Sequence, residues 1–256
     1  MELEVIDCNF MSETSNNLLR GRFLTPQEYQ GCLPIVIMLT GDGPKGTKSL
    51  SWTNLPPRLG NYGIASFLFD FEGLGFSNGE RSKLTVTKAM DNFKTAFDIV
   101  LAQDYIDKNR IGIFASSFGG TVSLLLPEII NRVKLLGLKS PASFLADAYI
   151  NECGTSELDK WLKEGYSETL EYDIEVLHDA LKHNPFLSAP QIRTKTLISH
   201  GDADTIVPIR QSKLLHSILT CEKQLEVFEH VSHNYSEEDA WEKMADLFVT
   251  WFSNGL

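Results

Sequence analysis

The sequence predicts an α/β fold: a mostly parallel central sheet of about eight strands, helices on both faces and a small helical insertion. Three observations carry that expectation. Short, almost wholly apolar runs such as 34–39 and 64–70 alternate with longer segments whose apolar residues recur at helical spacing. Strands covered on both faces of a parallel sheet read as such continuous runs. In addition, 256 residues with 43% hydrophobic content can bury one sizeable core, and no internal repeat or low-complexity stretch divides the chain.

Residues 2–7 and 18–24 read as an antiparallel pair joined by the polar turn 12–17. The apolar run 34–39 is a buried strand, followed by a glycine-rich loop and a helical segment near 48–60. Residues 64–70 form the next buried strand. A long helix follows, because Val86, Met90, Phe93, Phe97, Val100 and Leu101 share one face. Residues 111–115 make a strand that runs through Ser116 and Ser117 into the apolar helix 121–126. Further strands are expected at 133–138, 194–199 and 224–229, with a helix near 209–219. Ser236 and Asp239 have capping-box spacing, and the final helix they open would bury Trp241, Met244, Ala245, Phe248, Val249 and Phe252. Residues 141–193 break the alternation. They are expected to form a helical cap inserted in a single domain spanning 1–256, with Tyr149, Trp161, Tyr166, Tyr172 and Phe186 as its aromatics. Trp161 and Tyr166 are the expected substrate contacts, since apolar and aromatic linings are usual in pockets.

The junction at Ser117 is the centre of the functional reading. A serine at a strand-to-helix turn occupies a strained backbone, and its neighbours two positions away must be small. Ala115 and Gly119 satisfy this for Ser117, whereas Phe114 and Phe118 flank Ser116. The literal G-x-S-x-G match lies elsewhere, at Gly75-Phe76-Ser77-Asn78-Gly79, but a polar loop follows it and no helix begins there. Ser117 is therefore the expected nucleophile. A serine hydroxyl needs a base, and the base needs an orienting acid. Of six histidines, His233 lies in the loop between the last strand and last helix, while His230 ends the strand. His233 is preferred. The acid should lie between serine and histidine in the chain, after the preceding strand. Asp204 fits best and Asp202 is the second choice.

Composition narrows the class. A formal charge of −11 and a sequence pI near 5.0 argue against nucleic-acid or anionic-membrane partners. Cys8, Cys32, Cys153 and Cys221 are scattered, without zinc-site or disulfide-framework spacing. The N-terminus is acidic and alternating, unlike a signal peptide, and the apolar runs are too short to span a bilayer. A cytoplasmic enzyme is expected, monomeric or homodimeric, requiring no cofactor or metal.

Two rivals compete. Gly41-Asp42-Gly43-Pro44-Lys45-Gly46 matches G-x-G-x-x-G after a strand, and Asp70 stands near the place of a ribose-binding acid, so a dinucleotide-binding protein is an alternative. Gly46-Thr47-Lys48-Ser49 is a poorer phosphate loop, because Thr47 separates glycine from lysine. A hydrolase-shaped protein that binds without chemistry is the other alternative.

The stretches Ala115-Ser116-Ser117-Phe118-Gly119-Gly120 and His200-Gly201-Asp202-Ala203-Asp204-Thr205-Ile206-Val207-Pro208, with the His233 loop, resemble the α/β-hydrolase superfamily. Within it, the chain is most similar to small intracellular serine esterases of the cinnamoyl-esterase and acylaminopeptidase-like kind, over nearly its whole length. Asp70-Phe71-Glu72-Gly73-Leu74-Gly75-Phe76-Ser77 is similar to the D-x-R-G-x-G-x-S loop of that group, with Glu72 in place of arginine. The pattern H-G-x-x-D-x-x-V-P puts the acid on Asp204. The resemblance also implies an oxyanion hole from the backbone amides of Asp42 and Phe118. Thr40-Gly41-Asp42 replaces the usual His-Gly there, so the Asp42 carboxylate must point away or be paired. The implied activity is hydrolysis of small carboxylic esters with short or aromatic acyl groups, through an acyl-enzyme. Thioesters, amides and short peptides are further substrates of the same chemistry.

Overall fold

The alternation of apolar runs and amphipathic segments becomes a three-layer arrangement in the computed structural model, which describes residues 2–256. The strands and helices follow in order: β1 (Leu3–Met11), β2 (Leu18–Pro26), β3 (Leu33–Leu39), α1 (Leu50–Gly60), β4 (Ala65–Phe69), α2 (Val86–Leu101), β5 (Ile106–Ser116), α3 (Phe118–Leu124), α4 (Pro127–Ile130) and β6 (Leu135–Lys139). The inserted segment holds α5 (Leu145–Glu164), a two-stranded hairpin of β7 (Tyr166–Ser167) and β8 (Tyr172–Asp173), α6 (Ile174–Ala180) and α7 (Pro185–Ser188). The chain then returns to β9 (Lys195–Gly201), α8 (Arg210–Ile218), β10 (Lys223–Phe228) and α9 (Ala240–Gly255).

Eight strands form the main sheet in the order β1-β2-β4-β3-β5-β6-β9-β10. Pairing is parallel from β4 through β10, while β1–β2 and β2–β4 are antiparallel. The parallel strands β3, β4 and β6 are buried at every position, as strands covered on both faces must be. Alternate residues of each strand feed two apolar clusters. One contains Leu39, Ala115, Leu138 and Ile198. The other contains Met38, Phe114 and Leu197 with the apolar stripe of α9.

The site's location follows from connectivity. After β3 the chain moves outward to β4, then crosses back to β5 and proceeds the other way to β6. Such a reversal leaves a crevice beyond the carboxyl ends of the two central strands, here β3 and β5. Thr40-Gly41-Asp42 leaves β3 there, and Ser117 leaves β5.

Two sequence expectations need correction. Strand β5 begins at Ile106, before the apolar run, because Leu33 pairs with Ile106 across an irregularity in the β3 ladder. The last helix begins at Ala240, and no capping box forms. Asp239 takes a left-handed φ of 59° without a side-chain cap, and the Ser236 hydroxyl pairs with Ser232 at 3.1 Å. The six apolar residues expected on the buried face of that helix are all buried.

Candidate active site

Ser117 has φ 50° and ψ −114°, a conformation that side-chain-bearing residues rarely adopt. Such strain costs on the order of 1–3 kcal/mol and persists only where surroundings over-determine it. Four backbone bonds do so. The Ser117 amide donates to Lys139 O at 3.0 Å, and its carbonyl accepts from Gly120, Thr121 and Ala142 at 2.9, 3.3 and 3.1 Å. The turn is thereby tied to both β6 and α3, with the Ser117 side chain on the wall of a cavity of about 640 Å³. The Phe118 amide is the first of α3, among the N–H groups that lack an intrahelical acceptor.

The requirement for a small residue at 119 has a specific cause. A Cβ there would stand 2.6 Å from the carbonyl oxygens of both Leu39 and Thr40. Rigid β3 backbone, rather than a yielding side chain, would be struck. Gly119→Ala is expected to cost about 1–3 kcal/mol of stability through overpacking, read as a lower urea midpoint. It should also displace the turn that carries Ser117.

The imidazole and the carboxylate meet. His233 Nδ1 lies 2.6 Å from Asp204 Oδ2, joining the loop before α9 to the loop after β9. Asp204 is anchored further, since its Oδ1 accepts from the Ile206 and Val207 amides at 2.9 and 2.8 Å. Burial opposes its ionisation, but hydrogen bonds from His200 and His233 outweigh that and hold the carboxyl well below the usual range. His233 is shifted down from the ordinary imidazole value. Burial is the main cause, the bond to Asp204 opposes it, and the Lys139 ammonium adds to it. With Nδ1–H donating to Asp204, His233 Nε2 carries the lone pair. His233 lines the same cavity as Ser117.

His200, near the end of β9, supports this pair. It is fully buried, with Nε2 at 2.9 Å from Val207 O and 3.1 Å from Asp204 Oδ2, and Nδ1 at 2.7 Å from Ser212 Oγ. Two acceptors around Nε2 require the proton there, so the Ser212 hydroxyl donates to Nδ1. The rejected candidates have other duties. Asp202 accepts from the His230 amide at 2.5 Å, and His230 is exposed with a left-handed φ of 60°. Ser77 donates to Asp70 O at 2.6 Å and accepts from the Arg20 amide at 2.9 Å, pinning a loop to β2.

The acidic side chain at 42 is paired. Tyr149 on α5 and Tyr172 on β8 both donate to Asp42 Oδ2, at 2.9 and 3.0 Å. Burial first, and Asp42 next, raise both phenols well above their usual value, so they remain donors. Arg81 Nε donates to the Asp42 carbonyl at 2.9 Å, and its guanidinium lies over the Tyr172 ring at 4.4 Å. The loop after β3 is therefore clamped to the inserted segment, and the Asp42 charge is drawn toward the tyrosines.

The expected substrate contacts are corrected by the same packing. Trp161 and Tyr166 do not line the cavity, whereas Tyr149 and Tyr172 do. Trp161 is fully buried behind Tyr149, with ring centroids 6.2 Å apart, and Tyr166 is exposed on the hairpin. Helical periodicity could not choose among these aromatics, because α5 is kinked at Gly154. Two further cavity residues went unnoticed in the sequence. Arg81 carries no signal in its loop, but Lys139 interrupts an apolar run at the carboxyl end of a strand, the place where site residues gather.

The glycine-rich loop does not form a dinucleotide cradle. Only the three-residue 3₁₀ turn Gly46–Lys48 follows Gly46, and α1 starts later. The Asp70 carboxylate is consumed internally by the Thr47 amide at 2.6 Å, the Thr47 hydroxyl at 3.1 Å and the Phe76 amide at 3.0 Å. Gly46 and Gly75 pack directly on that carboxylate.

Known proteins agree with this architecture. The sequence profile described as the Prolyl oligopeptidase family matches residues 73–256. The acylamino-acid-releasing enzyme of Sus scrofa is 24% identical over 246 residues, covering 91% of this chain and 32% of that protein. Its Mus musculus counterpart is 25% identical over 190 residues, covering 70% and 25%. The chain thus spans a quarter to a third of the length of these relatives. Among solved structures, Est1E from Butyrivibrio proteoclasticus with bound ferulic acid superimposes with a TM-score of 0.77 at 18% identity, covering 96% of each chain. An acetyl xylan esterase from Paenibacillus sp. R4 gives 0.78 at 17% identity, covering 100% of this chain and 85% of that one. At such identities the structural likeness speaks for the fold.

Proposed function

The chain belongs to the prolyl oligopeptidase family and is a serine hydrolase, and on that premise we propose that it cleaves small carboxylic esters through an acyl-enzyme formed on Ser117. One observation carries this reading: the 2.6 Å His233–Asp204 pair opens into the cavity that holds the strained Ser117 turn.

In the proposed reaction, Ser117 Oγ attacks the carbonyl carbon while His233 Nε2 accepts its proton. Asp204 holds Nδ1–H and balances the imidazolium that forms. The amides of Asp42 and Phe118 donate to the developing oxyanion, and His233 returns the proton to the departing alkoxide. A water then repeats the sequence on the acyl carbon, with His233 again as base, and frees the acid and Ser117. A cavity of about 640 Å³ falls within the size range of small-molecule sites, large enough for a short or aromatic acyl group. The ferulic acid on Est1E is a precedent for the aromatic choice in the same fold. Amide cleavage from an N-acylated short peptide is the second reading, favoured by the acylamino-acid-releasing relatives. That reaction asks the same residues to protonate an amine instead of an alkoxide. Both reactions would be those of a soluble small substrate, and no described helix is long and apolar enough to cross a membrane.

A fluorophosphonate probe should add a single adduct, located at Ser117 by peptide mass analysis. An adduct on Ser77, or none at all, would overturn the assignment. The pH dependence supplies a second check. The base must be neutral, and His233 is shifted below the ordinary imidazole value, so its neutral form survives further into acid. The acid limb of kcat/KM should therefore have its midpoint below about 6.5, with activity falling as pH falls. A midpoint above that value would contradict the buried placement of the imidazole.

A further inference from the structure

The sheet register sets a polar row on top of an apolar one beside Ser117. Met38, Phe114, Gly137 and Leu197 are lateral neighbours on one face of β3, β5, β6 and β9. Side chains alternate along a strand, so two residues later Thr40, Ser116, Lys139 and Ser199 occupy the same face at the carboxyl edge. Ser199 is committed to the Tyr235 hydroxyl at 2.9 Å. Thr40, Ser116 and Lys139 line the cavity. The Thr40 hydroxyl is buried and has no hydrogen-bond partner among the described residues.

Lys139 is only 5% exposed. Its Nζ donates to the His233 carbonyl at 2.9 Å and stands over the Tyr235 ring at 4.8 Å. It forms no ion pair among the described residues. An ammonium has three donors, and withdrawing it from water is costly unless charge and hydrogen bonds are both met. A neutral donor could hold the His233 carbonyl without that cost, so the buried charge calls for an anionic acceptor that none of the described residues provides at ion-pair distance. Other charged groups around the cavity are occupied or peripheral. Arg81 and Asp42 belong to the clamp described above, Glu171 is exposed and paired with Arg81 at 3.3 Å, and Lys45 and Glu152 are exposed at the rim.

We propose that Thr40, Ser116 and Lys139 form a carboxylate subsite next to the Ser117 turn, and that the substrate bears a carboxylate a few bonds from the carbonyl under attack. One carboxylate oxygen takes the free ammonium donors, and the hydroxyls serve the other. Adjacent strands lie about 4.8 Å apart, so the anion is within roughly two strand spacings of the scissile carbon. The overall charge of −11 does not forbid this, because at physiological salt it is screened beyond about 8 Å, while Lys139 acts at contact. The inference rests on the acyl-transfer reading and narrows its substrate class.

The test compares kcat/KM for ester pairs that differ by one charge. On the alcohol side these are the butyryl esters of 4-hydroxybenzoate and 4-hydroxybenzamide. On the acyl side they are the monoethyl esters of four- to six-carbon diacids and the matching ethyl ester amides. At pH 7 at least one series should favour the carboxylate by about tenfold or more, the usual scale of one charge-assisted contact. Lys139→Met should slow both members, because the His233 carbonyl loses its donor, but the preference should fall to within about twofold. Equal losses, with the preference intact, would reduce Lys139 to a positioning residue and overturn the subsite.

Wild-type protein provides an independent measurement. Burial lowers the Lys139 pKa to about 8, with Asp204 opposing that shift. His233 and Tyr235 are the other titratable groups in contact with it. As pH rises through about 8 the ammonium discharges, so the preference should decline while the neutral ester is still turned over. A preference absent in both series, or unchanged to pH 10, would overturn the proposal. If no ester is cleaved and Ser117 takes no probe, the acyl-transfer reading falls along with it.

Discussion

Ser117→Ala will reduce kcat/KM on any cleaved ester by about 10⁴–10⁶-fold, the scale seen when a triad nucleophile is removed, and will abolish fluorophosphonate labelling. The fold should survive. The four backbone bonds that fix the turn do not involve the hydroxyl, and alanine tolerates the positive φ of 50° no worse than serine. Circular dichroism and the urea midpoint should therefore remain close to wild type while turnover is lost. A variant that kept more than about one-hundredth of the activity would show that another group attacks the carbonyl. Ser77→Ala is the matched control. It removes a loop bond to the Asp70 carbonyl and leaves the cavity intact, so its effect should lie in stability.

Asp204→Asn should cost about 10⁴-fold in kcat while leaving substrate binding far less affected. The reason lies in proton bookkeeping around one oxygen. Asp204 Oδ2 accepts from His233 Nδ1 at 2.6 Å and from His200 Nε2 at 3.1 Å, while Oδ1 accepts two backbone amides. An amide can keep the two backbone bonds only by turning its NH₂ toward both imidazoles. His233 must then carry its proton on Nε2, which is the tautomer unable to take one from Ser117. His200 would lose its acceptor as well, so a fall in stability accompanies the loss of rate. Kinetics at a pH well above the His233 midpoint separate the two effects, since added hydroxide partly replaces the missing base. Unchanged kcat in a folded variant would shift the acid's role to another carboxylate, with Asp202 as the first to examine.

The fold was legible because its signals are local and redundant. Each buried strand is an apolar run of the right length, and α2 and α9 declare their buried faces through spacing alone. Ser117 was legible for a related reason, since a strand that passes straight into a helix leaves room for only one kind of turn. The loop positions of Asp204 and His233 followed from chain order, since both succeed strands at the same sheet edge. The N-terminus of α9 was misread because Ser236 and Asp239 match a cap in spacing, whereas the chain needs extra residues to carry His233 and Tyr235 over the sheet. Trp161 and Tyr166 were misread because an aromatic in a helical insertion has no visible direction until its helix is packed and kinked.

By itself, the sequence determined the layered α/β architecture, the strained turn at Ser117 and the placement of Asp204 and His233 in loops at the same sheet edge, the residues we propose as nucleophile, acid and base. These depend on residue type and on neighbours a few positions apart. Only the tertiary structure decided what surrounds them: the two tyrosines and the arginine that hold the Asp42 loop, the second histidine on Asp204, and the lysine under the His233 loop. His200 and Asp204 lie only four positions apart, but the other contacts join segments 39 to 130 residues apart in the chain. Hydrogen bonds and buried charge are settled by distance in space, and no local pattern records which distant partner a polar side chain will meet.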